Sequence, residues 1–548
     1  MKKGNIYNLI YLVTIILLVM ACSKRQKVDL IITNATIYSV DSNFSKYSSM
    51  AISDGKIVAI GQPEDIEINY SAEKTIDANG KFIYPGFIDP HCHFLNYGIT
   101  LSNASLSGAK SWEEVVERLV KHQKDFPSDW VQGRGWNQNE WEVKEFPTNE
   151  LLDKVFPDKP VYIVRIDGHA AIANSIALKI AGVNENTTTN GGELIKRNGK
   201  LTGVLVDNAI ELVRSKIPEI QKTIKEKALM KAQENCFAVG LTSVSDAGLD
   251  LQDVLLIDSL QKSGQMKMRI YAMLNPTQEN LDYFLAKGIY TTDELTVRSI
   301  KLFVDGALGS RGALLLKPYS DAPETKGLQV ETTEKLKNYC KIAYDAGYQV
   351  NTHCIGDAGV RLIIDIYSNY LKSHNDLRWR IEHSQVVDPQ DLPRYRQYSI
   401  IPSVQTTHAT SDMTWADERL GNRIKYAYAY HDLLGQNGWL ANGSDFPIEN
   451  INPIYGFYAA VARKDLYGQP ANGFQIENGL TREQALKGMT IWAAKANFED
   501  DFKGSLEPGK WADFVILDRD LLTAKESDLP NSKVISTFVG GELVYQVK

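Results

Sequence analysis

Two histidines separated by one residue, His91 and His93, close the apolar run Lys81–Pro90, and this constrains the fold more than any other feature of the chain. Alternation along a strand puts residues i and i+2 on one face, so both imidazoles can close on one metal ion while Cys92 points the other way. Alone, the pair fits equally well with two histidines bonded to backbone. Four later segments narrow the choice: Ile300–Gly306, Val350–His353, Trp379–His383 and Leu440–Pro447. Each is a short apolar or β-branched run that delivers Lys301, His353, His383 or Asp445 at or near its carboxyl end, which is where a (β/α)8 barrel collects its chemistry.

The rest of the chain fits an elaborated barrel. At 548 residues with 43% hydrophobic content it exceeds what a bare barrel needs. Between about 84 and 500, strand-like runs alternate with helical patterns such as Ser111–Gln123 and Ile224–Ala238, the signature of a parallel sheet. Ser111 is placed to cap the first of these helices before Glu114. The stretch of about 169–222 is long for a simple crossover and reads as an insertion over the barrel mouth. Short strands with Asp/Gly and Asn/Gly turns fill 28–83 and return at 501–548.

These segments, together with Asp167–Ser175, Lys301–Ala313, Arg380–Gln385 and Gly504–Asp513, resemble the metal-dependent amidohydrolase superfamily. The branch most similar is amidohydrolase family 3, which includes N-substituted formamide deformylase-like enzymes, and the resemblance runs from about Val28 to the C-terminus. It implies an α/β fold: a TIM-like (β/α)8 barrel over 84–500, with a small β-sandwich built from both termini. It further implies two divalent metals, with zinc the expected ion. His91 and His93 would hold the more buried one, His353 and His383 the second, and a carbamate formed from carbon dioxide on Lys301 would bridge them. A lysine desolvated on an apolar strand becomes the neutral amine such a carbamate requires; a salt bridge from Lys301 to Asp305 is the plainer alternative. Asp445 would touch the metal and relay a proton from metal-activated hydroxide to the departing amine.

His169 matches a motif position that would orient a substrate carbonyl, or it is a core histidine bonded to backbone. Arg311 is a candidate for a substrate carboxylate or a surface ion pair. Trp136, with Trp141 and Phe446, forms either an aromatic wall for the substrate or ordinary packing. His122, His374 and His431 read as surface residues. Thr406 and Ser245 depart from the family pattern, where Pro and His are expected. The implied activity is hydrolysis of a non-peptide carbon–nitrogen bond in a small amide or N-substituted formamide. The alternatives are a cyclic amide or ester hydrolase, or a lipoprotein that binds a solute or metal without turnover.

The formal net charge of −7 gives no basic footprint for nucleic acid, so the expected partner is a small-molecule substrate. Lys2 and Lys3 precede the apolar run Ile10–Met20, which is short for a membrane span but suits an export signal. Val19–Cys22 resembles a bacterial lipobox: cleavage after residue 21 would leave Cys22 lipidated, with the enzyme anchored to the cell envelope, in the periplasm or at the outer membrane. The remaining cysteines, Cys92, Cys236, Cys340 and Cys354, are too few and too scattered for a disulfide scaffold or zinc knuckle. The sequence leaves the oligomeric state open.

Overall fold

The computed structural model describes residues 25–218 and 220–547. The proposed signal segment and Cys22 lie outside them. Among the described residues, no helix is long and apolar enough to cross a membrane.

Eight parallel strands form the centre: β1 (Phe87–Cys92), β2 (Leu241–Leu249), β3 (Arg269–Leu274), β4 (Leu295–Phe303), β5 (Gln349–Cys354), β6 (Arg380–His383), β7 (Ile401–Val404) and β8 (Ala441–Asn442). They lie side by side in chain order, so each connection returns to the neighbouring strand. β1 and β8 form no ladder, and the barrel is nearly closed. Across that seam Asp445 donates its backbone N–H to the His91 carbonyl and His93 donates to the Phe446 carbonyl, each at 2.8 Å. The Asp89 carboxylate adds a bond from the Ser444 hydroxyl at 2.6 Å. The seam therefore places the ends of the first and last strands against one another, and with them His91, His93 and Asp445.

Outward residues of the strands, including Val244, Ile300, Leu302, Val350 and Ile381, pack against the surrounding helices in one large apolar core. Helix Lys222–Ala238 contributes Leu229, Ala232, Cys236 and Phe237 to it. Inward positions carry the polar side chains, so the strands are buried on both faces, as parallel strands covered by helices must be. Helix Trp112–Asp125 begins as expected, with the Ser111 side chain accepting from Glu114 N–H at 3.2 Å.

The insertion is larger than the sequence reading. A separate six-stranded sheet runs from Ala104 to Asp207, with apolar clusters on its two sides. Its strands Val131–Trp136 and Val161–Arg165 are parallel to each other, so their pattern matches that of barrel strands. Periodicity reports burial and pairing, not which sheet a strand joins, and the boundary near 169 therefore falls inside the inserted lobe. At the chain ends, four strands between Gln26 and Asp77 form one sheet, and a six-stranded sheet mixes Thr36–Tyr38, Lys46–Tyr47 and Phe82–Pro85 with three strands after Asp513. Ile32 and Met50 of the first share a core with Ile83, Phe514 and Phe538 of the second. A buried ion pair, Arg269 Nε to Asp513 at 2.6 Å, fixes the start of β3 to the C-terminal segment.

Candidate metal centre

Six of the nine histidines of the chain gather at the carboxyl end of the barrel. His91 comes from β1 and His93 follows it. Between them Cys92 turns away, with its thiol 3.4 Å from the Ser245 carbonyl. The turn after His93 is held by Asp246 at the end of β2, which accepts the N–H groups of Phe94 and Leu95 at 3.0 Å each. His353 lies on β5 and packs against His383, with ring centroids 4.4 Å apart. His383 has φ of +74°. That left-handed turn at the end of β6 brings His383 to the inner side together with Glu382, which simple alternation would not do.

Donor atoms of His91, His383 and Asp445 lie within 4.8 Å of one another, the spacing a single ion can bridge. Asp445 Oδ1 is 3.3 Å from His93 Nε2 and 3.6 Å from His91 Nε2. The buried atoms in this region without a hydrogen-bond partner include His353 Nε2, His408 Nε2 and Asp445 Oδ1. Buried polar atoms are ordinarily satisfied, so three converging orphans call for a further bound group. The donor set of imidazole and carboxylate fits a divalent metal.

The ring orientations agree with this. His91 donates Nδ1–H to the Glu382 carboxylate at 2.5 Å, and His383 donates Nδ1–H to Gln405 Oε1 at 2.7 Å. Both Nε2 atoms are thereby left as lone pairs facing inward, the second-sphere arrangement that metal-ligating histidines use. Burial pushes His91, His353 and His383 well below the ordinary imidazole range, with neighbouring positive charges adding to it. They are neutral, the form that binds metal. Glu382 is itself bonded to Arg380 Nε at 2.7 Å. Glu382→Gln is expected to weaken metal binding about 10–100-fold, read by competition with a chelator on protein whose melting curve matches the parent. Unchanged affinity would reduce Glu382 to a structural partner of Arg380.

Lys301, 1% exposed on β4, points inward with Nζ 3.1 Å from His91 Nε2. Asp305, its alternative partner, is used elsewhere: its carboxylate accepts the N–H groups of Leu314, Ile355 and Gly356 at 2.8 to 3.0 Å. Among the described residues Lys301 has no carboxylate in an ion pair, and burial brings its ammonium down to about 8.

These groups floor a cavity of about 120 Å³, whose walls include Arg165, Asp167, His169, Phe303, Trp415 and Glu449. His169 lines it from the inserted lobe, its Nδ1 bonded to Asp207 at 2.7 Å and not to backbone. Two other readings require correction. Trp136 is fully buried in the lobe core and donates Nε1–H to the Ile163 carbonyl, because its strand turns that ring inward beneath the sheet. Arg311 pairs with Asp321 at 2.7 Å and does not reach the cavity wall. Trp141 also packs in the lobe core, and Phe446 is fully buried. His374 and His431 are exposed and His122 is half-buried. Sequence reasoning passed over His408, whose Nδ1 is 2.9 Å from Gln385 Nε2, and Glu382. Glu382 sat inside the segment Trp379–His383, where an Arg-x-Glu-His strand end was the available signal, and His408 lies two residues after Thr406.

A parallel barrel that collects neutral histidines and an aspartate around one cavity at its carboxyl end defines the class of metal-dependent barrel hydrolases. Comparison with known proteins gives the family. The Amidohydrolase family model matches residues 74–545, and the chain belongs to that family. It is 35% identical to the protein LONG AFTER FAR-RED 3 of Arabidopsis thaliana, over 94% of this chain and 91% of that one. With the putative amidohydrolase YtcJ of Bacillus subtilis it shares 30% identity, covering 93% and 98% of the two chains. Identity to the N-substituted formamide deformylase of Arthrobacter pascens is 25%, over 94% of this chain and 98% of the relative. Among solved structures, an uncharacterized metal-dependent hydrolase from Pyrococcus horikoshii superposes with a TM-score of 0.74 at 31% identity, covering 91% of this chain and 99% of that one.

Proposed function

We propose that the protein hydrolyses the carbon–nitrogen bond of a small amide or N-substituted formamide. The observation that carries this reading is the convergence of unpartnered His353 Nε2, His408 Nε2 and Asp445 Oδ1 on one small cavity beside His91 and His383. His91, His93, His353, His383 and Asp445 would hold the metal, with two zinc ions and a carbamate on Lys301 as our reading of the complement. A bound divalent metal would lower the pKa of water to about 7 and polarise the substrate carbonyl.

The side chains supply the rest. Asp445 takes a proton from the attacking water as the carbon–oxygen bond forms. It returns that proton to the nitrogen as the carbon–nitrogen bond breaks. His169 would orient the carbonyl from the lobe side. Ile166, Phe303, Leu308 and Trp415 exclude water and contact the apolar part of the substrate. Hydrolysis of a cyclic amide or ester would use the same groups, whereas a protein that only binds a solute or metal has no use for a proton relay at Asp445. We read the two terminal sheets as one sandwich that buttresses the barrel, and the N-terminal segment as an export signal with a lipid anchor at Cys22.

Charge narrows the substrate further. Five carboxyl groups line the cavity, those of Glu140, Asp167, Asp412, Asp445 and Glu449, against one guanidinium, Arg165; burial pushes Asp412 up to about 7 and Glu449 to about 8, so Glu140, Asp167 and Asp445 carry the standing negative charge. That guanidinium is already bonded to Gln138, Asn137 and Asp167 at 2.5 to 2.8 Å. With Lys301 converted to the carbamate, an anionic substrate tail would meet no free side-chain cation there. Metal-loaded protein is therefore expected to hydrolyse N-butylformamide, and a formamide ending in an amine, at least about tenfold faster than one ending in a carboxylate, a difference of about 1.4 kcal/mol. A preference for the carboxylate would overturn the charge argument, and no hydrolysis across the series would overturn the formamide reading.

A further inference from the structure

Gly306 and Gly312 both fall within Lys301–Ala313, and neither adopts a positive φ, so conformation does not explain them. Space does. A methyl group at Gly306 would lie 2.4 Å from Asp207 Oδ1, and one at Gly312 would lie 2.5 Å from Asp207 Oδ2. The two glycines form a notch in the loop after β4, and the Asp207 carboxylate of the inserted lobe fills it. Asp207 ends strand Lys200–Asp207 and is bonded to His169 twice: its N–H donates to the His169 carbonyl at 3.0 Å, and Oδ1 meets Nδ1 at 2.7 Å. The His169 ring lies over His353, with centroids 4.8 Å apart, and lines the cavity.

We propose that Asp207 is a positioning residue of the hydrolytic site, reaching through the Gly306–Gly312 notch to lock the His169 ring with its proton on Nδ1 and Nε2 presented to the substrate. The inference rests on the hydrolase reading for its kinetics, though not for its geometry. An imidazole with free rotation about its side-chain bonds would lose the alignment on which an oriented group depends. The lobe then completes the site as well as covering it, and the glycines of the barrel loop are small because a lobe carboxylate passes between them.

The test uses metal-loaded wild-type, Asp207→Ala, Asp207→Asn, Gly306→Ala and the Asp207→Ala/Gly306→Ala pair. In protein labelled with 15N-histidine, the His169 signals are assigned with His169→Gln. Nδ1 of His169 is expected to carry the proton in wild-type and Asp207→Asn, and to lose that preference in Asp207→Ala. On N-butylformamide, Asp207→Ala and Gly306→Ala are each expected to lower kcat about 10–100-fold, within the range of one oriented acid–base or hydrogen-bonding group, with KM and metal content little changed. Asp207→Asn should recover part of the loss. The double variant should be no slower than Asp207→Ala, since an alanine at 207 leaves room for the new methyl group.

Multiplying effects of the two single substitutions, or an unprotonated Nδ1 in wild-type, would overturn the proposal. Should wild-type protein turn over no formamide, the hydrolase reading falls, and the nitrogen signals still decide for or against the locked ring.

Discussion

Asp445→Asn protein is expected to fold, to retain metal, and to lose hydrolysis by about 10³-fold, within the range assigned to an acid–base group. The substitution separates the proton relay from the scaffold. Asp445 has φ of +61°, in the left-handed region where Asn is tolerated about as well as Asp, so the backbone accepts the change. The seam bond from its N–H to the His91 carbonyl at 2.8 Å is a backbone bond and survives. An amide oxygen still occupies the site of Oδ1, 3.3 Å from His93 Nε2. What disappears is a carboxylate that is available as a base. Burial alone would raise the Asp445 carboxyl, but the His93 ring 3.3 Å away and the other neighbouring imidazoles hold it well below the usual range. It is ionised at neutral pH, as a proton acceptor must be. Elemental analysis beside a hydrolysis assay distinguishes the outcomes: lost turnover with metal retained supports the relay, whereas unchanged turnover removes Asp445 from the mechanism.

How much of this was legible in the sequence depended on how local the signal was. His91 and Lys301 sit on apolar strands where period-two alternation decides the inward face, His93 directly follows the first of these strands, and the structure brings those side chains together. The boundary of the inserted lobe was not legible. Val131–Trp136 and Val161–Arg165 carry the same apolar pattern as barrel strands, and only long-range pairing assigns them to another sheet. Trp136 shows the same limit: a large aromatic at a strand end looks alike from sequence whether it meets a ligand or a core, and here 0% exposure settles it as core. Glu382 was hidden for the converse reason. Alternation puts either Glu382 or His383 inward, and the left-handed backbone at His383 supplies both. Asp207 could not be read at all, since its role arises from two glycines about a hundred residues away in the chain.

Lys301→Ala should change metal content more than any other single substitution among the barrel residues. The argument begins from charge. A lysine that is 1% exposed and has no ion-paired carboxylate among the described residues is costly to keep as an ammonium. Burial brings it down to about 8, and its Nζ sits 3.1 Å from the lone pair of His91 Nε2, where an ammonium would compete with any metal for that atom. Conversion of the amine to a carbamate replaces the cation by an anionic oxygen ligand and removes the competition. Wild-type protein purified without chelator is then expected to carry two metals per chain, falling to one or none in Lys301→Ala. Short carboxylates such as acetate or propionate, which fit the space left by the lysine stem, should restore part of the lost metal or turnover. One metal in both proteins would mean a mononuclear site with Lys301 as a neutral neighbour of His91. No metal in either would turn the reading toward a protein that binds without catalysis.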